Sequence, residues 1–412
     1  MNYKLKNFLK TLGPGIVFAG MCIGVSHLVQ STRAGADYGF TLLVAVLAAN
    51  LFKYPFFEFS SRYTSATGKS ILDGYYKQGK WILWIYAFMT LVTMFVVSAA
   101  VTFVAAGLLG NLLGMDLSSD ICAAIVFAVS VLILASGKYS AMDGLLKVVS
   151  IVLLISTITA VVAALFNGRS EPVTGFVPME VMSTGGIVFL IALMGWMPTA
   201  VDMSVWTGLW AEARVEQTGY RPTKKETLLD FNLGYIITAI LAVIFLSLGA
   251  LVMYGSGIEF SNSASLFAGQ LIGLYTESIG DWSYIIIASA AFSTMFSTSI
   301  TVLDGYGRTM DRIVLLLFEG KRRVSYYVWI ILLAVGSYLI ISRFLNDLKS
   351  LVDMATIVSF IIAPFAAFLN YKAIFSSEVD EQFRPPHWLK ILGILGLIFL
   401  ILFSLVYFYI LL

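Results

Sequence analysis

Charged side chains are scarce: Asp, Glu, Lys and Arg together make up 12% of the 412 residues, about half the roughly 25% usual in soluble domains. So little charge cannot cover the surface of a water-soluble domain. With 59% hydrophobic residues and a mean hydropathy of +0.89, the chain reads as a polytopic membrane protein. Histidine occurs twice, at His27 and His387, and cysteine twice, at Cys22 and Cys122. This scarcity argues against a Cys/His metal cluster, a disulfide framework or a membrane-embedded hydrolase. Both cysteines sit in apolar runs, where core packing is the expected role. Nucleotide-binding motifs, low-complexity tracts and heptad runs are also missing. No enzyme activity, no catalytic residue, no cofactor and no nucleic-acid partner is therefore expected.

The partner the composition does require is the lipid bilayer. Apolar runs of about 18 residues or more mark spanning helices. They fall near Pro14–Arg33, Phe40–Phe59, Trp81–Leu109, Ser119–Ala135, Leu145–Phe166, Gly185–Trp210, Phe231–Tyr254, Trp282–Tyr306, Tyr326–Ser342, Leu351–Tyr371 and Trp388–Leu411. That predicts an all-α integral membrane protein, a single domain of about eleven transmembrane helices joined by short loops. The opening MNYKLKNFLK is too polar for the core of a signal peptide, so the first span is expected to serve as the insertion signal and stay. Of the 26 Lys and Arg residues, 21 fall on one side of this topology and four on the other (Arg33, Arg169, Arg343, Lys349), while Lys53 lies within a span. The positive-inside rule then puts the N-terminus in the cytoplasm and, with an odd span count, the C-terminus outside the cell membrane. Trp81, Trp210, Trp282 and Trp388 at span edges suit the interfacial belt. In the longest outer loop, Gly255–Asp281, the semi-apolar Ser265–Tyr275 reads as a surface helix.

Two spans are interrupted. In the first, the apolar run stops at Gly24, Val25, Ser26 and His27 and resumes as the polar Gln30-Ser31-Thr32-Arg33. Backbone groups freed at membrane depth are costly unless they face protein or a water-filled cavity, so this break reads as the wall of a site. The sixth span carries Gly195-Trp196-Met197-Pro198-Thr199 at its middle, where Pro198 removes a donor and clashes with the preceding turn. Carriers built from inverted five-helix repeats interrupt their first and sixth helices and bind cargo there. On that pattern repeat one covers about 13–166, repeat two about 184–372, and the helix at about 388–411 is an addition. A channel fits less well, because paired breaks suit alternating access.

Leu12-Gly13-Pro14-Gly15, followed by Ala34-Gly35-Ala36-Asp37-Tyr38-Gly39, resembles the first span of the Nramp (natural resistance-associated macrophage protein) divalent-metal transporters. Ala66-Thr67-Gly68-Lys69 is similar to the loop after their second span, Met197-Pro198 to the Met-Pro-His of their sixth, and Ala363-Pro364-Phe365-Ala366 to their tenth. The resemblance implies a LeuT-like fold and a secondary carrier, usually of manganese or iron with proton as coupling ion. It carries over Met197 as a metal ligand. The family's first-span Asp-Pro-Gly-Asn falls here on Gly24, Val25, Ser26 and His27, and its sixth-span histidine on Thr199. Its acidic third span falls on Trp81–Asn111, which holds no Asp or Glu.

The substrate-binding candidates are therefore Gly24, Ser26, His27, Met197 and Thr199. They offer a thioether, an imidazole, hydroxyls and backbone carbonyls. A hard dication wants oxygen or imidazole donors with negative charge close by, and this set has no charge. Two cargoes stay open: a divalent metal ion, as the resemblance implies, and a small organic solute such as an amino acid, whose carboxylate suits half-helix N-termini. Trp196, Trp206 and Trp210 are candidate walls of an organic pocket, with ordinary packing as the alternative. His27, Asp202 and Asp304 are candidates for proton or ion coupling, since ionisable groups at membrane depth are functional by default. Lys53 and Glu58 read as snorkelling or ion-paired. The hydroxyls between Ser293 and Thr301 read as helix glue or an ion site. Asp304, Arg308, Asp311 and Arg312 read as an ion-pair network at the inner end of the eighth span, and Asp353 as a cap or gate at the opposite face.

Overall fold

A computed structural model describes residues 11, 13–114, 117–137, 139–167, 172–321, 324–344 and 347–411, the side chains of 139–150, 167 and 411 excepted. Lys4, Lys6, Lys10, Lys138, Arg169, Arg322 and Arg323, which contribute to the charge pattern, lie outside the described residues. Among those described, every regular element is a helix. Nine of the predicted runs form continuous helices: Leu43–Thr67, Lys80–Leu113, Ser119–Ser136, Tyr139–Asn167, Lys224–Val252, Tyr284–Leu317, Tyr326–Ile341, Leu348–Ile374 and His387–Leu411. The first span consists of half-helices 1a (Pro14–Cys22) and 1b (Ser26–Tyr38), bent by 40° at the break. The sixth consists of 6a (Thr184–Gly195) and 6b, a 3-10 turn Val201–Ser204 that runs into Val205–Thr218.

Local chemistry sets the ends of these helices. Gly68, at φ +71°, closes the second span in the left-handed conformation that suits glycine. Thr223 opens the seventh with a capping box, its hydroxyl on the Glu226 N–H and the Glu226 carboxylate on the Thr223 N–H. Half-helix 1a starts on Pro14, where a missing N–H costs nothing. Its N-terminus is held by Asp230, the carboxylate of which accepts from the Gly13 N–H at 3.3 Å and the Gly15 N–H at 2.6 Å.

The seventh span packs along both halves of the first. A Cβ on Gly35 would lie 2.0 Å from the Leu246 carbonyl oxygen, and one on Gly249 2.2 Å from that of Thr32. On 1a, a Cβ on Gly15 would lie 2.0 Å from the Asp230 carbonyl oxygen. Such backbone-to-backbone contacts supply the van der Waals attraction that joins helices in lipid, where apolar burial offers no drive. The second span packs on 6a and 6b, and the third packs on the eighth. Among the described residues the last helix packs mainly on spans two, six and ten, as befits an addition.

Two further helices join the bundle. Ile71–Gln78 follows the second span, with the Ser70 hydroxyl accepting from the Leu72 N–H. The segment expected to lie on the surface forms the helix Ala264–Ile279, but Phe267, Leu271, Ile272 and Tyr275 are buried. It packs on the third and fifth spans, because its apolar residues recur on one face at helical spacing.

Candidate functional site

Half-helix 1a ends at Cys22, and the chain resumes as a π-helical turn, Ser26–Ser31, before regaining α geometry at Thr32. Such turns are rare and leave the backbone loosely spaced. Here hydroxyls brace it: Ser31 Oγ donates to the Ser26 carbonyl at 3.2 Å and Thr32 Oγ1 to the His27 carbonyl at 3.4 Å. Ser26 Oγ lies 2.6 Å from the Cys22 carbonyl and 3.0 Å from that of Pro198. One hydroxyl thus joins the two breaks. His27 Nδ1 is 2.8 Å from Ser26 Oγ, and Nε2 is 2.8 Å from the Thr238 carbonyl. A carbonyl only accepts, so Nε2 carries the hydrogen of that bond. The ring lies edge-on to Phe245 and is fully buried. His27 is therefore aimed at the seventh span, with both nitrogens engaged.

At the sixth-span break, Gly195 packs on the tenth span so closely that a Cβ would lie 2.3 Å from the Thr356 carbonyl oxygen. Trp196 Nε1 donates to Ser359 Oγ at 2.9 Å. The last carbonyls of 6a lack intrahelical partners, and Lys53 supplies one. Its Nζ donates to the carbonyls of Met194 at 2.5 Å, Gly195 at 2.8 Å and Thr199 at 3.3 Å. Lys53 is 0% exposed. Snorkelling is thus corrected: the second span packs on the break, so the ammonium reaches carbonyls instead of headgroups. Glu58 does pair with Arg62, one turn on.

Between the breaks lies a cavity of about 20 Å³, room for about one water. Ser26, Thr199 and Thr298 line it with hydroxyls, Met21 and Met203 with thioethers, and Trp196 with its ring. Thr199 Oγ1 donates to Met203 Sδ at 3.4 Å. A Cβ on Gly24 would lie 2.6 Å from Thr298 Cγ2 and 3.0 Å from its Oγ1. The eighth span thus fills the space that a side chain at position 24 needs. Met197, fully buried, precedes a cis bond to Pro198 and does not line the cavity. Among the described residues, no group of three or more His, Cys, Asp and Glu side chains is placed to hold a metal.

Beyond the first-span break an ion pair ties 1b to the tenth span. Arg33 of 1b meets Asp353 of the tenth span at 2.7 and 3.2 Å, through two nitrogens and two oxygens. Gln30 bonds both partners, and the guanidinium lies 4.9 Å from the Phe189 ring centroid. At the opposite, basic end a vestibule of about 370 Å³ opens between 1a, the second span, 6b and the seventh span. Lys69, Arg214, Arg221 and Arg312 line it alongside Glu212 and Asp230.

Residues 15–410 match the family described as Natural resistance-associated macrophage protein-like. The chain belongs to the Nramp family. A protein of Pasteurella multocida (strain Pm70), itself uncharacterized, is 38% identical to this Nramp chain over 402 residues, 96% of this chain and 91% of its own length. Among solved structures, a manganese transporter of Eremococcus coleocola superposes with a TM-score of 0.73 at 14% identity, covering 98% of this chain and 87% of that one. MhsT in complex with L-phenylalanine superposes with a TM-score of 0.65 at 15% identity, covering 96% and 98%. The fold is LeuT-like, with the inverted five-helix plan and broken first and sixth helices. This Nramp protein is a multi-pass membrane transporter, not an enzyme.

The coupling candidates of the Nramp chain lie apart from one another. Asp202 stands in the turn that opens 6b and faces the third span. Its Oδ2 is 3.4 Å from Thr93 Oγ1, its backbone carbonyl accepts from Tyr86 Oη at 2.7 Å, and its Oδ1 has no hydrogen-bond partner among the described residues. Asp304 sits toward the basic end, where Arg308, Trp210 Nε1 and Tyr326 Oη all donate to it. Arg312 reaches across to Asp73 of the short helix. Trp206 packs edge-on against Tyr306 at 4.8 Å between ring centroids and covers Gly305, away from the cavity. Thr298 is one of the eighth-span hydroxyls that read as helix glue or an ion site, and it borders the gap. Sequence reasoning missed Met203, which had no signal beyond helical spacing, and missed the role of Lys53, whose available signal was a cation deep in an apolar run.

Proposed function

We propose that this Nramp protein is a secondary-active carrier that works by alternating access and moves a small organic solute, such as an amino acid, in place of manganese or iron. Its cargo site is the gap lined by Ser26, Thr199, Thr298, Met203 and Trp196, which widens from its present volume to admit the solute; Gly24 packs beneath Thr298, and His27 and Met197 stand behind the lining. One observation carries the reading: Thr298 occupies the space over Gly24 where a first-span carboxylate would have to stand. The hydroxyls and thioethers left in the lining give a dehydrated dication no negative charge. A solute carboxylate, by contrast, is suited by the half-helix ends. In this scheme the repeats, about 13–166 and 184–372, rock against each other and exchange the Arg33–Asp353 closure for closure of the basic vestibule. The basic side faces the cytoplasm, with the N-terminus inside and the C-terminus outside. The coupling ion is the proton. Asp202, whose buried Oδ1 has no hydrogen-bond partner among the described residues, is the foremost of the three coupling candidates, because both nitrogens of His27 and the carboxylate of Asp304 are already hydrogen-bonded.

Purified protein in proteoliposomes tests this. Manganese uptake is expected to stay at the level of empty vesicles, while a thermal-shift panel of amino acids and related solutes yields a stabilising ligand. An inward proton gradient drives uptake of that ligand, and Asp202→Asn removes the response to the gradient while leaving solute exchange. Saturable manganese uptake that disappears in Met197→Ala overturns the reading and returns the metal as cargo.

A further inference from the structure

We infer that Lys53 is the resident cation of the transport site: its ammonium fills a carbonyl cage at the sixth-span break which, once emptied, takes a free monovalent cation. The inference takes the gap between the two breaks as the cargo site, as proposed above.

The cage has three members. Met194 and Gly195 end half-helix 6a, where the carbonyl ends of the helix concentrate partial negative charge; the Met194 carbonyl also accepts from the Met197 N–H at 3.4 Å. Thr199 contributes its carbonyl from beyond the break and lines the central cavity. Backbone carbonyls gathered in this way are what replaces the hydration shell of a monovalent cation in ion-selective sites. An ammonium has three N–H donors, and all three carbonyls lie within its reach. No donor is left for a solute, and no carboxylate hydrogen-bonds to it among the described residues. Lys53 therefore acts at this site as a fixed ion. Because it joins 6a to the residue beyond the break from a helix of the other half, it holds the sixth-span break in shape without a soluble ion. Uptake by the wild type should then be independent of sodium.

A lysine that merely caps 6a would lose stability on substitution and gain no ion response. Full-length Lys53→Ala and Lys53→Met proteins separate the two roles. In Lys53→Ala both the stem channel and the cage are empty, so propylammonium chloride is expected to raise Tm saturably by about 2–5 °C over choline chloride at equal ionic strength. In Lys53→Met the neutral stem fills the channel, so sodium or ammonium produces the rise and propylammonium does not. The wild type responds to none of them. Uptake of the stabilising solute becomes sodium-dependent in Lys53→Met. Absence of any sodium or amine response in both variants overturns the cage. So does failure of both to fold with these cations present during purification, because a true cage would be refilled. Manganese uptake by the wild type would overturn the organic-solute reading alone, whereas these responses read only the cage.

Discussion

Gly35→Leu is expected to leave no monodisperse, folded protein. A Cβ at this position lies 2.0 Å from the Leu246 carbonyl oxygen and 2.7 Å from the Ala250 nitrogen. Both obstacles are backbone atoms of the seventh span, so no rotamer change relieves them. Half-helix 1b must instead move off the seventh span along its length. Overpacking a core that can yield through side chains costs about 1–3 kcal/mol, and separating two backbones costs more than that. Against a total stability of about 5–15 kcal/mol, the loss is large. Gly249→Leu meets the Thr32 carbonyl from the other helix and is expected to fail in the same way. Size-exclusion chromatography with a thermal melt is the measurement. A sharp peak with Tm within a few degrees of wild type would show that the two helices are not in backbone contact.

Gly24→Ala is expected to cut solute uptake at least tenfold while the protein stays folded. Here the nearest atoms are Thr298 Cγ2 at 2.6 Å and Oγ1 at 3.0 Å, with the Met21 carbonyl oxygen at 3.2 Å. The threonine can be pushed aside, but only into a cavity of about 20 Å³ that it already borders. The price of the methyl group therefore falls on the cargo site more than on the fold. Thr298→Ser removes the worst-placed atom and is expected to restore part of the uptake in the double variant. A coupling of about 0.5–3 kcal/mol is typical for residues in direct contact. Additive losses in the double-variant cycle would place the obstruction elsewhere.

The spans were legible because lipid demands continuous apolar runs, and each of the eleven has its helical counterpart. Their ends were less legible. The eighth helix continues to Leu317, well past the apolar run that stops near Tyr306, because Arg308 and Arg312 extend it beyond lipid into an ion-paired layer that hydropathy cannot sense. Helix Ile71–Gln78 carried a readable signal, Ser70 with Asp73 three residues on, which its short length obscured. The breaks were legible from Gly24–His27 and Met197–Pro198. Which side chains enter the gap was not. Helical spacing gives a face, but the bend at residue 23 and the π turn after it rotate that face, sending His27 to Thr238 and leaving Ser26 at the gap. Lys53 was out of reach for a similar reason: its partners are carbonyls, which leave no trace in sequence.

If the carrier works by alternating access, the Asp230 clamp on the start of 1a bears on its rate. Its two hydrogen bonds, to the N–H groups of Gly13 and Gly15, are charge-assisted, a class worth about 1.5–3 kcal/mol each. A motion of 1a that broke both at once would carry about 3–6 kcal/mol of added barrier, slowing the step by roughly a hundred- to ten-thousandfold. A motion in which the first turn of the seventh span travels with 1a carries none of it. Turnover is therefore fastest if the first turn of the seventh span follows 1a while the rest of repeat two rocks against repeat one.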